Sequence, residues 1–219
     1  MSEQPSEQPS EQPSEQTTNE QVMRVVIGED FEPHLEDMIT LDREVLPEAY
    51  VTSEEKLRDR FEANPHSFVA LIGEPAASQE GERSSEQSGE QSGELLGYVN
   101  LFPITNEARR ELLAGELPND IEMTGEHVNE WSEEEPTDLY VITVAVSPHA
   151  QGGQVTKRLV QELKCFLRAQ RDEGFRVGRV YTSVVTGAGE RFMGRLGFKP
   201  TSTPGGCWVA SGAELMRGG

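Results

Sequence analysis

The strongest constraint on this chain is an apolar strand that enters a glycine-containing loop and then a long helix. Residues 146–163 read VSPHAQGGQVTKRLVQEL, after the β-branched and aromatic run DLYVITVAV at 138–146. The pattern predicts a strand over 138–146 and a helix over 153–173. Such a junction directs free backbone N–H groups and the positive end of the helix dipole to one point, which favours a phosphate-bearing ligand.

Two details of the loop support a phosphate ligand. Gly152 and Gly153 carry no Cβ, so the backbone can approach a ligand closely. Lys157 and Arg158 lie in the first turns of the predicted helix, where the dipole disfavours cations unless a polyanion is bound. The alternative is that both cations are ordinary solvated surface residues.

The rest of the chain alternates predicted strands and helices. Strands are predicted at 24–29, 67–73, 95–102, 179–185 and 206–211, and helices at 33–43, 53–63, 106–115 and 187–196. Ser53 or Thr52 is the expected N-cap of the second helix. We therefore predict a mixed α/β domain over 21–219, in which helices pack on a largely antiparallel sheet.

Two polar segments stand apart from this domain. Residues 1–20 contain a Ser-Glu-Gln-Pro repeat without apolar side chains, which predicts a disordered tail. A similar acidic segment at about 76–94 separates two predicted strands, which indicates a disordered insertion in a hairpin. Both segments are interpreted as passive spacers rather than as partner-binding or solubilising arms.

The charge distribution excludes several function classes. The net charge is −20, and residues 1–20, 74–94 and 107–138 carry −5, −5 and −9 of it. No basic stripe is present for nucleic acid, and no apolar run approaches the length of a membrane span.

Cys165 and Cys207 have no metal-site spacing and are interpreted as reduced packing residues, so no metal is expected. The absence of a secretory signal predicts a cytoplasmic protein.

Motifs in the C-terminal half occur in a characteristic order. They are Val146-Ser147-Pro148, the loop QGGQVT at 151–156 before a helix, Thr186 before a short helix, and Leu196-Gly197-Phe198. In order and spacing they resemble the GNAT N-acetyltransferase superfamily with a degenerate cofactor loop. The resemblance spans roughly 23–211 but is specific only in the C-terminal half.

This resemblance implies a GNAT-like fold, acetyl-CoA or another acyl-CoA as cosubstrate, and transfer of the acetyl group to a primary amine by direct attack. The cofactor-binding residues that it implies are Val144, Val146, Gln151, Gly152, Gly153, Gln154, Val155, Thr156, Lys157, Arg158 and Thr186. Among these, the backbones of Val144 and Val146 are expected to pair with the amide arm of the cofactor.

The sequence also departs from the family pattern. Gln154 and Thr156 replace small residues of the loop, although both side chains can donate hydrogen bonds, so the loop is expected to remain usable. Met193 stands where the family often has a Tyr that protonates the departing thiolate. Tyr181, Ser183 or a water could replace that acid, or a thiol could leave without one.

The acceptor side requires a base to take a proton from the amine. The candidates are Tyr140 and Asp138 at the start of the strand at 138–146, and Glu122 or Glu134 in the acidic segment. His149 is a further candidate, but it lies beside the phosphate loop.

The acidic segment 107–138 is longer than the corresponding link in most GNAT members. With Trp131 it is predicted to form either a lid or wall of the acceptor pocket, or a solvated excursion. Its negative field favours a cationic acceptor, such as a small-molecule amine or a basic peptide.

The sequence leaves two alternative functions and one assembly state open. Met193 and Gln154 also permit a catalytically weak or inactive acyl-CoA-binding sensor or scaffold, and the acidic arms permit an interaction module for a basic partner. A homodimer is a further possibility.

Overall fold

A seven-stranded sheet organises the residues that the computed structural model describes, which are 22–74, 93–117, 122–150 and 153–217. The strands are β1 (Met23–Ile27), β2 (Phe68–Gly73), β3 (Glu94–Pro103), β4 (Thr137–Val146), β5 (Val177–Thr182), β6 (Lys199–Pro200) and β7 (Trp208–Ser211). Their order is β1-β2-β3-β4-β5-β7-β6, and only the β4–β5 pair is parallel. The predicted mixed α/β class with a largely antiparallel sheet is confirmed.

Helices cover both faces of the sheet. They are α1 (Leu35–Val45), α2 (Glu54–Ala63), α3 (Asn106–Ala114), α4 (Gln154–Asp172), α5 (Gly187–Arg195) and α6 (Gly212–Arg217). Short 3-10 helices occur at Gly28–His34, Glu48–Tyr50, Pro65–Ser67, Gly125–His127 and Pro148–Ala150. All predicted helices are confirmed within a few residues, whereas α6 was not predicted because its six residues are too short to show a period.

Two apolar layers hold the helices to the sheet. Met38 of α1 and Leu57 of α2 belong to the layer that includes Tyr98 of β3. On the other face, Leu159 and Leu163 of α4 pack in a layer with the opposite side of the strands. This arrangement brings the end of α1 and the start of α4 to opposite faces of the same part of the sheet.

Local signals in the sequence fix the helix ends. Ser53 is the N-cap of α2 and accepts a hydrogen bond from the Lys56 N–H at 3.4 Å, as one of the two predicted caps. Gly115 ends α3 with φ of 77°, a left-handed conformation that suits glycine. Thr186 caps α5 by accepting from the Gly189 N–H at 3.0 Å.

Several predictions fall outside the described residues or need correction. The tail at 1–20, most of the insertion at 76–94, and Gln151 and Gly152 lie outside them. The prediction that both cysteines are packing residues was wrong for Cys165, which is exposed, because it lies on the solvent side of α4.

Two further features of the described residues concern membranes and metal ions. No helix among them is long and apolar enough to cross a bilayer. Within the same ranges, no group of three or more His, Cys, Asp and Glu side chains is placed to hold a metal ion.

Candidate functional site

The parallel strands β4 and β5 separate halfway along β4. Their register runs from Thr137 opposite Val177 to Val141 opposite Thr182, where β5 ends. β4 continues to Val146 and stays paired with β3 on both sides of Ile142, so the separation does not release it from the sheet. The gap between the strands opens into a cavity of about 270 Å³.

The cavity passes between the two helical layers and is largely apolar. Val45, Leu46 and Tyr50 line it from α1 and the following turn. The remaining lining residues are 142–146 of β4, Thr156 of α4, Thr182 at the end of β5, 183–186 after it, and Ala188, Gly189, Phe192 and Met193 of α5. Among the described residues, the lining includes no Asp, Glu, Lys, Arg or His.

A β-bulge in β4 lies at the cavity wall. The register with β3 passes from Thr143 opposite Asn100 to Val141 opposite Leu101, so Ile142 has no partner in this pairing. A bulge interrupts the ladder and re-aims the residues beside it. It therefore places an extra peptide unit of β4, with its hydrogen-bonding groups, where the cavity begins.

Two hydroxyl groups supply polar chemistry on the β5 side of the cavity. Tyr140 is fully buried, and its hydroxyl donates a hydrogen bond to Ser183 Oγ at 2.7 Å. Because Ser183 accepts this bond, its own proton is available to a group inside the cavity. Tyr140, a predicted catalytic residue, is thus connected to the cavity through Ser183 rather than lining it.

The structure does not bring the predicted acids Asp138 and Glu122 to the cavity. Asp138 lies at the opposite end of β4, where its carboxylate is 2.6 Å from Arg109 Nη1 and accepts from the Arg179 N–H at 2.7 Å. Glu122 pairs with Lys56 Nζ at 2.8 Å. Both carboxylates hold neighbouring elements together instead.

Glu134 and Tyr181 also lie away from the cavity. The Glu134 carbonyl accepts a hydrogen bond from the Arg176 guanidinium, near the start of β5. Tyr181 forms a side-chain hydrogen bond with Arg179, which raises the pKa of that guanidinium. Ser183 is therefore the alternative acid that the structure places at the cavity.

A basic groove lies between α4 and α5 and adjoins the cavity. It has a volume of about 560 Å³ and shares Thr156 and Phe192 with the cavity lining. The groove is lined by Thr156, Lys157, Val160, Gln161, Lys164, Arg168, Phe192, Arg195 and Leu196. Four cations thus gather here in a protein of net charge −20, which indicates an anionic ligand.

The predicted cofactor residues fall into groups. Val144, Val146, Thr156 and Thr186 line the cavity, and Lys157 lines the groove. Arg158 instead pairs with Glu162 at 2.6 Å along α4. Gln154 is exposed and Val155 is buried in the core, while Gln151 and Gly152 lie outside the described residues.

The N-terminus of α4 is accessible to a ligand. Gly153 is the N-cap residue of the helix and has no side chain to cap the first turn. Among the described residues, a Cβ built on Gly153 would meet nothing within 4 Å.

Trp131 does not line the cavity, so of the two predicted alternatives for the acidic segment the lid or wall gains no support at this residue. Its ring centroid lies 6.1 Å from that of Phe166 and 5.9 Å from that of Phe175, at the far end of α4. The indole packs against these two rings because the contact removes apolar surface from water. The acidic residues that follow it therefore lie at the end of the sheet opposite the cavity.

The part of the cavity wall formed by Val45, Leu46, Tyr50 and Thr143 was not predicted. These residues carry no catalytic motif, and only the tertiary packing of α1 against β4 brings them together.

The chain matches no protein-family model and no curated protein sequence. It is similar in structure to NAA60 from Arabidopsis thaliana in complex with a bisubstrate analogue, with 14% identity, a TM-score of 0.51, and coverage of 87% of this chain and 98% of that one. It is also similar to the loading GNATL domain of CurA from Lyngbya majuscula, with 15% identity, a TM-score of 0.52, and coverage of 86% and 95%. A third similar structure is Naa50 from Arabidopsis thaliana with the bisubstrate analogue CoA-Ac-MVNAL, at 12% identity, a TM-score of 0.50, and coverage of 85% and 95%.

Proposed function

The chain has the fold of the GNAT N-acetyltransferases, and we propose that it is an acyl-CoA-dependent N-acyltransferase that moves an acetyl group to a primary amine. The observation that carries this proposal is the separation of β4 and β5 into a cavity that adjoins a basic groove. A structure of NAA60 with acetyl-CoA, similar to this chain with a TM-score of 0.50, supports the choice of cosubstrate.

The groove suits the phosphate groups of an acyl-CoA. Lys157, Lys164, Arg168 and Arg195 would bind them, together with the backbone N–H groups of the first turn of α4. The pantetheine arm would enter the cavity past Thr156 and Phe192, which line both spaces. The apolar interior of the cavity suits the acyl thioester.

Catalysis at this site would depend on positioning and on hydrogen-bond donors. Backbone N–H groups of β4 near the bulge at Ile142 would polarise the thioester carbonyl as the amine attacks. When the C–S bond breaks, the Ser183 hydroxyl would donate to the sulfur, with Tyr140 donating to Ser183 from behind. This pair would take the place of the acid that Met193 cannot supply.

The part of the cavity wall beside α1 would face the acceptor, and it favours an amine with an apolar group near the nitrogen. Val45, Leu46 and Tyr50 contribute apolar surface on this side. Because the described lining offers no carboxylate, a second positive charge near the amine would find no partner inside the cavity. A cationic acceptor would gain only distant attraction from the negative protein surface.

The test is an acceptor screen with thiol release from acetyl-CoA as the readout. The panel pairs amines of similar size that differ in charge: apolar primary amines, polyamines, and peptides with apolar or basic first residues. We expect saturable turnover that is highest with an apolar acceptor and that falls in Ser183→Ala. The control Ser211→Ala, at an exposed residue that ends β7, should keep the wild-type rate. Acetyl-CoA binding without turnover of any amine would favour the sensor alternative, and no binding would contradict the proposal.

A further inference from the structure

The basic groove extends well beyond the first turn of α4. The α4 residues that line it recur every three or four positions and form one stripe of the helix, at 157, 160, 161, 164 and 168. At 1.5 Å of rise per residue, Lys164 lies about 10 Å and Arg168 about 16 Å along the helix from Lys157. A phosphate at the helix N-terminus interacts with the first turn only, so the outer half of the groove is not explained by it.

The cations of α4 differ according to whether they line the groove. Arg158 and Arg171 lie outside it, and each pairs with a carboxylate of the same helix, at 2.6 Å and 2.7 Å. Within the described part of the chain, Lys164 of α4 and Arg195 of α5 form neither an ion pair nor a side-chain hydrogen bond. The chain therefore neutralises the α4 arginines outside the groove and leaves these two groove cations to a ligand.

The outer half of the groove concentrates positive charge at a cost to the helix. Lys164 and Arg168 are four residues apart on the same stripe, and like charges at this spacing destabilise a helix. Arg168 Nη2 donates to the Met216 carbonyl at 2.6 Å, which holds the guanidinium beside the groove and leaves it further N–H donors. A bound anion would convert this repulsion into attraction.

The chemistry of coenzyme A supplies such an anion. With the thioester in the cavity and the pyrophosphate at the first turn of α4, the ribose follows, and it carries a phosphate monoester on its 3′ oxygen. A monoester of this kind has a charge of about −1.5 to −2 at pH 7 and three strong acceptor oxygens. Three cations in the outer half of the groove match that charge, and the arginines can bind it with two parallel hydrogen bonds.

We propose that Lys164, Arg168 and Arg195 bind the 3′-phosphate of the acyl-CoA and thereby select the 3′-phosphorylated carrier over dephospho-CoA. Lys157, with the first turn of α4, then binds the pyrophosphate. This division of the groove rests on the proposed function, since it takes the thioester to lie between β4 and β5.

The test compares acetyl-CoA with acetyl-dephospho-CoA, which lacks only the 3′-phosphate. Calorimetry should show that the wild-type protein binds acetyl-CoA about tenfold more tightly, as expected for charge-assisted hydrogen bonds at a solvent-exposed site. Lys164→Gln combined with Arg195→Gln should bind both ligands with the same Kd, close to the wild-type Kd for acetyl-dephospho-CoA. Each ratio is taken within one variant, so it does not depend on the folded fraction of that variant.

Two control variants separate the 3′-phosphate site from the rest of the surface charge. Lys157→Gln should weaken both ligands by the same factor and keep the preference for acetyl-CoA, because it lies at the pyrophosphate end. Arg171→Gln removes one charge from the same helix outside the groove and should keep both wild-type Kd values. Arg168 is left in place, because its hydrogen bond to Met216 also holds α6 to α4.

Equal wild-type Kd values for the two ligands, or a preference that survives Lys164→Gln with Arg195→Gln, would overturn the 3′-phosphate site. So would a preference that Arg171→Gln removes as fully, because general surface charge would then explain it. In each of these cases, thiol release from acetyl-CoA with an amine would leave the proposed function intact. A wild-type protein that binds neither ligand would overturn both the site and the proposed function.

Discussion

Charge reversal at Lys157 tests whether the basic groove binds phosphates, and charge reversal at the next residue, Arg158, is the control. Lys157 lines the groove, whereas the next residue, Arg158, pairs with Glu162 at 2.6 Å on α4. Lys157→Glu and Arg158→Glu change the net charge equally at adjacent positions. Only the first should place a negative charge against the phosphates of acetyl-CoA.

The magnitude follows from the exposure of Lys157. A unit charge pair at 4 Å is worth about 1 kcal/mol in bulk water and about 4 kcal/mol near a protein surface. Lys157 is exposed, so we take the lower figure, and reversal of the charge doubles it. The expected loss is about 2 kcal/mol, which is about thirtyfold in Kd. Arg158→Glu should change Kd by less than about threefold because solvent ions screen more distant charges.

The assay is calorimetric titration of both variants with acetyl-CoA at low and moderate salt. The difference between Lys157→Glu and wild type should narrow as the salt concentration rises. Equal Kd values for the two variants, or a larger effect at Arg158, would refute the assignment of the groove to the phosphates.

Three further outcomes follow from the structure. Met193→Ala should destabilise the protein by about 2–5 kcal/mol, measured by thermal unfolding, because the buried side chain fills the core beside the cavity. The same variant should leave the shape of the pH–rate profile unchanged. Replacing Glu133, Glu134 and Glu135 together with Gln should leave the salt dependence of the reaction rate with the acceptor nearly unchanged, since their segment follows Trp131 at the far end of α4. A flatter salt dependence in this variant would show that the segment attracts the acceptor electrostatically. Burial raises the pKa of the Tyr98 hydroxyl in the folded protein, so its contribution is present below the unfolded pKa of about 10 and is lost at higher pH. Urea unfolding at pH 9 and 11 should therefore show a smaller alkaline loss of stability in Tyr98→Phe than in wild type.

Much of the fold could be predicted because local signals agree with the tertiary structure. The apolar face of α4 and the β-branched residues of β4 predicted those elements within a residue or two. Gly115 and Ser53 marked helix ends for reasons that operate within one turn. These signals depend on neighbours along the chain and are therefore visible in the sequence.

The part of the candidate site that could be predicted lies at the start of α4. The loop before α4 identified Lys157 and Thr156, because backbone geometry and charge there are local properties. Arg158 was assigned with Lys157, but helical periodicity turns adjacent residues about 100° apart, and Arg158 reaches Glu162.

The acceptor side depends on contacts between distant segments. Asp138 was predicted as a base because it lies near the start of β4, yet its carboxylate is paired with Arg109 of α3 and accepts a hydrogen bond from the β5 backbone. Tyr98 and Asp42 are 56 residues apart and meet only because α1 packs on β3. No spacing rule in the sequence brings these two residues together.

The most direct test of the account is a titration of the labelled protein with acetyl-CoA, followed by the backbone amide NMR signals. Shifts should concentrate at 142–146 of β4, at 183–189, and along the α4 side of the groove, with Trp131 and the start of β4 unchanged. Saturable shifts in that pattern would place the ligand in the gap between β4 and β5. No shifts at millimolar acetyl-CoA, or shifts centred elsewhere, would contradict the claim that this gap is an acyl-CoA site.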